Sequence, residues 1–158
     1  MSIYSGRVRT RACALVVRDS KLLLVKQHVP TRNEPVWLAP GGEVEVGETA
    51  KSAAKRETLE ETGLDIVPNR LVAIHEFVEP PFHAIELFFL SDIKGGKLKV
   101  GHDPEHAEDD QLIVDCRFVE FDELNTIGII SPGFIQTLFK EDLLRGSGKV
   151  IHVEHVAD

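Results

Sequence analysis

Three glutamates, Glu57, Glu60 and Glu61, lie close enough in the chain to act on one ligand. In a helix, residues three and four positions apart share a face, so these side chains would point the same way. Neighbouring carboxylates repel one another unless a cation lies between them, and Mg²⁺ or Mn²⁺ prefers such oxygen ligands. The alternative interpretation is a solvated acidic helix face, with basic partners at Lys51, Lys55 and Arg56.

The elements around the glutamates favour the metal site. Residues 49–62 are predicted to form a helix, because Thr49 can cap its first turn and Gly63 can end it in the left-handed conformation. A Gly41-Gly42 turn precedes this helix, and glycine lets a backbone approach a ligand closely. A purely acidic surface would not require these glycines.

The offsets of these residues form a longer pattern between Gly42 and Leu64. Its specified members are Gly42, Glu48, Arg56, Glu57, Glu60, Glu61 and Gly63. The pattern resembles the Nudix box, Gx5Ex7REUxEExGU, in which U is an apolar residue. Thr58 departs from it, since it occupies an apolar position with a side chain that adds a hydroxyl. That change can lower stability locally but removes no ligand.

The resemblance implies roles for the matching residues. Glu57, Glu60 and Glu61 would hold Mg²⁺, or alternatively Mn²⁺, together with the backbone carbonyl of Gly41. Arg56 would orient the neighbouring glutamates through charge-assisted hydrogen bonds. Behind these groups, Glu48 and Gly42 would support the site. The catalytic set implied in this way is Glu61, Glu60, Glu57 and Arg56.

The general base stays open between the box and a later acidic loop. Within the box the candidate is Glu61. The loop at residues 101–110 offers further candidates for a base or metal ligand: Glu105, Glu108, Asp109 and Asp110. The alternative interpretation of this loop is a solvated acidic segment without a catalytic role.

Residues outside the box give a weaker indication of the substrate. Candidates for contacting it lie in the loop before the box and after a double proline: Arg32, His28, Phe82 and His83. In some members of the family, a proline about sixteen residues after the box accompanies hydrolysis of ADP-ribose or ADP-sugars, and Pro80 stands at that position here. Its simpler explanation is the end of a strand.

The composition is that of an ordinary globular chain, which we expect to form a single domain over residues 1–158. The net charge of −8 argues against binding a nucleic-acid polymer, which requires a basic surface. No apolar run is long enough to cross a membrane, and the first residues lack a secretory signal, so we expect a cytoplasmic protein. Cys13 and Cys116 are expected to be buried thiols.

The pattern of apolar residues predicts an α/β fold. Strands are predicted at residues 7–17, 21–27, 36–39, 71–78, 84–90 and 112–121, a turn at Gly95-Gly96, and a second helix at 134–144. The resemblance implies a Nudix-type α/β/α sandwich around a mixed sheet. Residues 150–156 are strand-like and could extend the sheet of this chain or of a second copy, so a homodimer is plausible.

These observations predict an enzyme that hydrolyses the pyrophosphate linkage of a small nucleotide, a nucleoside diphosphate linked to another moiety. ADP-ribose or an ADP-sugar is favoured as that substrate. One alternative is a pyrophosphohydrolase of nucleoside triphosphates or diadenosine polyphosphates. The other is a non-catalytic Nudix-like module that binds a nucleotide. Such modules usually lack box glutamates, whereas this chain keeps them.

Overall fold

The computed structural model describes residues 6–102, 112–138 and 148–157. Its strands are β1 (Val8–Arg18), β2 (Lys21–Gln27), β3 (Val36–Leu38), β4 (Gly41–Glu43), β5 (Leu64–Glu79), β6 (Phe82–Gly96), β7 (Ile113–Glu120) and β8 (Ile151–Val156). Within the described residues, the α-helices are α1 (Ala50–Thr62) and α2 (Ile135–Leu138), and a 3₁₀ turn covers Phe121–Glu123. The order of elements places helix α1 directly between strands β4 and β5.

The strands form one mixed sheet in the order β3-β2-β1-β6-β5-β8, with β4 paired to β1 and β7 paired to β2. Strands β1 and β6 run parallel, as do β5 and β8, whereas the other pairs are antiparallel. Strand β1 therefore has β4 on one edge and β6 on the other. It links the loop that leads into α1 with the centre of the sheet.

Alternating side chains of the central strands pack on the two opposite faces of the sheet. Ala12 and Phe89 pack with Ala53 and Ala54 of helix α1. Their neighbours in the chain, such as Cys13 and Phe88, point to the opposite face and pack with Ile135 and Leu138 of α2. Because successive residues of a strand face opposite sides, the helices cover opposite faces of the sheet. This confirms the predicted α/β/α sandwich around a mixed sheet.

The hairpin of β5 and β6 is longer than predicted. Strand β5 begins at Leu64, which pairs with Gly96 at the end of β6. Gly95 and Gly96 therefore lie in a strand, and the turn predicted at these glycines is wrong. Register shifts near Ile66, Arg70 and Ala73 absorb residues that individually disfavour strands. The two glycines indicated a turn here, but the strands continue through them, with bulges in their pairing.

The predicted buried thiols are confirmed, since Cys13 and Cys116 are both buried and free. Trp37 of strand β3 is 1% exposed. The described part of the predicted second helix is the single turn Ile135–Leu138, and the remainder of residues 134–144 lies outside the described residues. Strand β8 pairs parallel with β5 of its own chain. Among the described helices, none has the length and hydrophobicity needed to cross a bilayer.

Candidate active site

Helix α1 is fixed at both ends by local hydrogen bonds. The Thr49 hydroxyl accepts a hydrogen bond from the Ser52 N–H at 3.1 Å, and Gly63 ends the helix with a φ of 73°. The hydroxyl of Thr58 is buried and donates to the Ala54 carbonyl at 2.7 Å. That bond satisfies the hydroxyl, so the departure from the apolar box position leaves no unpaired polar group.

Arg56 is the hydrogen-bonding centre of the box glutamates. Its Nη2 donates to Glu48 Oε1 at 2.8 Å, and its Nη1 donates to Glu57 Oε1 at 2.8 Å and to Glu60 Oε2 at 3.4 Å. The Nη2 group also donates to the backbone carbonyl of Glu43 at 3.2 Å. The hydrogen bond from Arg56 lowers the pKa of Glu48, and bonding to Glu48 raises the pKa of Arg56 itself. One guanidinium thus orients three carboxylates and ties the helix to strand β4.

The remaining box glutamate faces the turn before the helix. Glu61 Oε2 accepts a hydrogen bond from the Gly41 N–H at 3.0 Å. A side chain at Gly42 would clash with the carboxylate of Glu57, so glycine is required for Glu57 to lie against this turn. Burial raises the pKa of Glu57, although Arg56 opposes the change. The backbone of Gly41 and Gly42 therefore lies directly against the acidic face of α1.

These groups suit a hard divalent cation by their chemistry, since all the donors are oxygens. The cradle at Gly42, which any larger residue would fill, brings backbone and carboxylates together. Arg56 holds Glu57 and Glu60, while the Gly41 N–H holds Glu61. Among the described residues, one group of acidic and histidine side chains has its ligand atoms within 4.8 Å of one another. That group lies outside the box and is formed by Glu76, His152 and Glu154.

A pocket of about 110 Å³ opens on the face of the sheet that carries α2. Strands β1, β5 and β6 form its floor, and the loop after β2 and the segment before α2 form its walls. The floor is polar near Arg9, Arg11 and Glu86 and aromatic at Phe77 and Phe82. It combines an apolar surface with a few polar groups, as small-molecule sites do.

A row of residues across four strands joins this pocket to the box. Arg11 of β1 pairs in register with Glu43 of β4 and with Glu86 of β6, which in turn pairs with His75 of β5. Arg11 Nη1 donates to Glu86 Oε1 at 2.7 Å, and Arg11 Nη2 donates to the Gly41 carbonyl at 3.3 Å. His75 Nδ1 lies 2.8 Å from Glu86 Oε2. Arg11 is therefore in contact with both the turn before α1 and the floor of the pocket.

Two residues of this row, Glu86 and Arg11, are held in their charged forms. Burial by itself would raise the pKa of Glu86, but Arg11 and His75 outweigh it and lower that pKa. Burial likewise opposes the charge of Arg11, yet the nearby carboxylates of Glu86, Glu61 and Glu57 raise its pKa. The box glutamates are thus close enough to act on Arg11 electrostatically. Removing either partner would leave a buried charge without compensation.

The structure places the predicted substrate residues in different surroundings. Phe82 and His83 line the pocket. His28 and Arg32 are exposed and do not line it, whereas the residues between them, Val29 to Thr31, do. The four predicted loop acids, Glu105, Glu108, Asp109 and Asp110, lie outside the described residues.

Four residues of the pocket floor were not predicted from the sequence: Arg9, Arg11, His75 and Glu86. A signal for them exists in the chain, because Arg9 and Arg11 alternate with smaller residues along β1, and Glu86 stands alone among apolar residues of β6. A charged residue inside a buried strand requires a partner. The identity of that partner depends on strand register, which the spacing of residues does not reveal.

Comparison with known proteins identifies relatives of this chain. The family model of the NUDIX domain matches residues 7–138. An ADP-ribose pyrophosphatase of Methanocaldococcus jannaschii is 37% identical over 99 residues, which cover 60% of this chain and 56% of the relative. A NAD-capped RNA hydrolase NudC of Photorhabdus laumondii is 32% identical over 116 residues, covering 73% of this chain and 41% of the relative. The chain thus spans about half the length of such curated relatives.

Solved structures share the fold at lower sequence identity. An ADP-ribose pyrophosphatase from Streptococcus suis superposes with a TM-score of 0.65 at 21% identity, covering 92% of this chain and 98% of its own. A Nudix hydrolase from Nitrosomonas europaea gives a TM-score of 0.68 at 22% identity, covering 91% of this chain and 93% of its own. The family model covers most of the sequence, and the fold agrees with it. The chain belongs to the Nudix hydrolase family.

Proposed function

We propose that this chain is a metal-dependent pyrophosphohydrolase of a nucleoside diphosphate linked to another moiety, with ADP-ribose or an ADP-sugar as the preferred substrate. The observation that carries the proposal is the connection between two sites. Arg11 bonds to the carbonyl of Gly41, in the turn that lies against the box glutamates, and to Glu86 in the floor of the pocket. Such an arrangement suits a substrate whose phosphates lie at the box and whose organic part fills the pocket.

In this proposal Glu57, Glu60 and Glu61, with the Gly41 carbonyl, hold Mg²⁺ or Mn²⁺. A bound cation would neutralise pyrophosphate charge and would lower the pKa of a coordinated water. Arg56 positions Glu57 and Glu60, and Glu48 positions Arg56. Gly42 leaves room for the Glu57 carboxylate. The chain therefore supplies orientation and fixed charges, which are its main contribution to such a reaction.

The general base remains a choice between two regions. Glu61 is nearly buried and engaged by the Gly41 N–H, which fixes its orientation. The loop acids Glu105, Glu108, Asp109 and Asp110 are the other candidates. Alanine at each loop acid should lower turnover at least about tenfold at one position if the loop provides the base, because such catalysis typically contributes 10²–10⁴-fold. Smaller losses at all four would assign the base to the box.

Three observations support ADP-ribose or an ADP-sugar. The Methanocaldococcus relative is named for ADP-ribose, and it shares 37% identity over the aligned residues. The pocket offers the aromatic rings of Phe77 and Phe82, on which a base can stack. Pro80 lies in the turn between β5 and β6, two residues before the pocket residue Phe82. The turn alone also explains this proline.

A second candidate substrate is a dinucleotide such as the NAD cap of an RNA. The observation in its favour is the NudC relative, whose match covers 73% of this chain. The net charge of −8 weighs against a long contact with an RNA backbone. We therefore keep our proposal of a small nucleotide substrate rather than a polymer.

The test is turnover of a substrate panel in Mg²⁺ and, separately, in Mn²⁺. The panel comprises ADP-ribose, ADP-glucose, NADH, diadenosine polyphosphates and dNTPs. We expect ADP-ribose or ADP-glucose to give the highest kcat/KM, and Glu60→Gln to abolish turnover without unfolding the protein. Glu45→Gln is the matched control, since Glu45 is an exposed acid that only reaches Arg56 at 3.9 Å.

The outcomes separate the alternatives. Much faster cleavage of dNTPs or diadenosine polyphosphates would contradict the substrate assignment but keep the enzyme class. Absence of turnover for the whole panel, with nucleotide binding retained, would contradict catalysis and favour a binding module. A single domain and a homodimer remain predictions. Sizing chromatography at several protein concentrations tests the dimer, and a strict monomer would remove it.

A further inference from the structure

Arg11 occupies an unusual position for a charged residue. It lies in the central strand β1, and its side chain is only 17% exposed. One side of its guanidinium bonds to Glu86, and the other reaches the Gly41 carbonyl. It is thus the side chain through which the pocket floor touches the turn that precedes helix α1.

The hydrogen-bonding capacity of Arg11 is not exhausted. Its Nε–H group is buried and has no acceptor among the residues that the structure describes. The contact to the Gly41 carbonyl, at 3.3 Å, is the longer of its two bonds. A buried donor without a partner costs free energy, which a bound acceptor would recover.

Its partners hold the guanidinium in place. One carboxylate oxygen of Glu86 accepts a hydrogen bond from Arg11 of β1, and the other lies at hydrogen-bond distance from His75 of β5. Contacts from two neighbouring strands therefore hold the carboxylate in position. The ion pair with Arg11 neutralises Glu86, while the Nε–H of Arg11 remains without an acceptor among the described residues. A planar guanidinium with free N–H groups matches the geometry of phosphate oxygens.

We propose that Arg11 is the phosphate-binding residue on the pocket side of the site. It would bind the phosphate attached to whichever half of a nucleoside diphosphate derivative fills the pocket, while Glu86 and His75 keep its guanidinium in position. This inference rests on the proposed function, because it assumes that the two halves of one substrate lie at the box and in the pocket.

The experiment measures binding of the two products, AMP and ribose 5-phosphate, in buffer with EDTA. Adenosine and ribose are the matched ligands without phosphate. We expect the wild type to bind at least one phosphorylated product, and Arg11→Lys to weaken that binding about 10- to 100-fold, as for a lost charge-assisted hydrogen bond. Binding of the unphosphorylated partner should be unchanged. Lysine keeps the charge beside Glu86 but lacks the planar fork.

Two controls separate ligand binding from folding. Arg7→Gln removes a more exposed arginine that pairs with Glu43, and it should bind the products as the wild type does. The double variant Arg11→Gln/Glu86→Gln removes both buried charges together, so neither stays uncompensated. Its thermal unfolding is compared with the wild type. If it folds, it should also lose product binding while retaining affinity for the unphosphorylated ligand.

The outcomes are distinguishable from those of the enzyme assay. Undiminished product binding by folded Arg11→Lys and double variants would overturn the inference, even if the panel confirms the enzyme. Equal losses for phosphorylated and unphosphorylated ligands would also overturn it, since Arg11 would then only shape the pocket. Arg11-dependent product binding without turnover of any panel member would support the phosphate site and contradict the proposed catalysis.

Discussion

Arg56 and Arg11 each hold glutamates in place, but they do so in different surroundings. Arg56 projects from helix α1 and bonds to residues that are close in the chain, Glu48, Glu57 and Glu60. Arg11 lies within the sheet and bonds to Glu86, which is 75 positions away. The helical cluster is the more accessible, whereas Glu86 is only 6% exposed. The Arg56 cluster is therefore suited to accept a cation, and the Arg11 cluster to remain fixed.

The first expected effect concerns cation binding by the helical cluster. Arg56→Gln should lower the affinity for Mn²⁺ about 10- to 100-fold, because it removes the donor that orients Glu57 and Glu60. Calorimetric titration with Mn²⁺ measures the change. Lys55→Gln is the control, since Lys55 is the neighbouring residue but pairs with Asp65. An unchanged affinity in the Arg56 variant would show that the glutamates keep their orientation without it.

The next effect concerns stability in the buried cluster. Glu86→Ala should reduce the free energy of unfolding by about 3–5 kcal/mol, because it leaves Arg11 buried without its carboxylate. Glu120→Ala, which breaks the exposed pair with Lys21, should cost less than about 1 kcal/mol. Urea unfolding of both variants checks the comparison. Equal losses would mean that the Arg11–Glu86 pair is no more important than a surface ion pair.

The buried pair should also affect the pH dependence of stability. The folded pKa of Glu86 is lowered, so its stabilisation is present above the ordinary glutamate pKa of about 4.3 and is lost as pH falls through the lower folded value. The wild type should therefore lose more stability than Arg11→Gln/Glu86→Gln between about pH 6 and about pH 3. Chemical unfolding across this range measures the difference. Parallel pH profiles would contradict the assignment of a charged Glu86.

The smallest effect tests the start of the box helix. Thr49→Ala should destabilise the protein by about 1 kcal/mol, because the hydroxyl caps the N–H of Ser52. Thr49→Ser retains the hydroxyl and should stay close to the wild type. Thermal unfolding distinguishes the two variants. If both lose the same stability, the contribution of Thr49 comes from packing rather than from the cap.

The contrast between the clusters explains what could be predicted from the sequence. The helix from Thr49 to Gly63, its acidic face and the role of Gly42 follow from local spacing and from the box resemblance. The Arg11–Glu86–His75 row depends on the pairing of three strands, which no local pattern determines. The full length of the β5–β6 hairpin was not predicted for a related reason. Gly95 and Gly96 pair with Asp65 and Leu64 of the neighbouring strand, and this pairing places both glycines in β6.

In our proposal the box performs the chemistry while Arg11 binds the substrate. The most direct measurement is a comparison of kcat and KM for ADP-ribose in Mg²⁺ among the wild type, Glu60→Gln and Arg11→Lys. We predict that Glu60→Gln lowers kcat by at least about 100-fold, whereas Arg11→Lys mainly raises KM, by about 10- to 100-fold. Wild-type kcat in Glu60→Gln, or an unchanged KM in a folded Arg11→Lys variant, would contradict this division of roles.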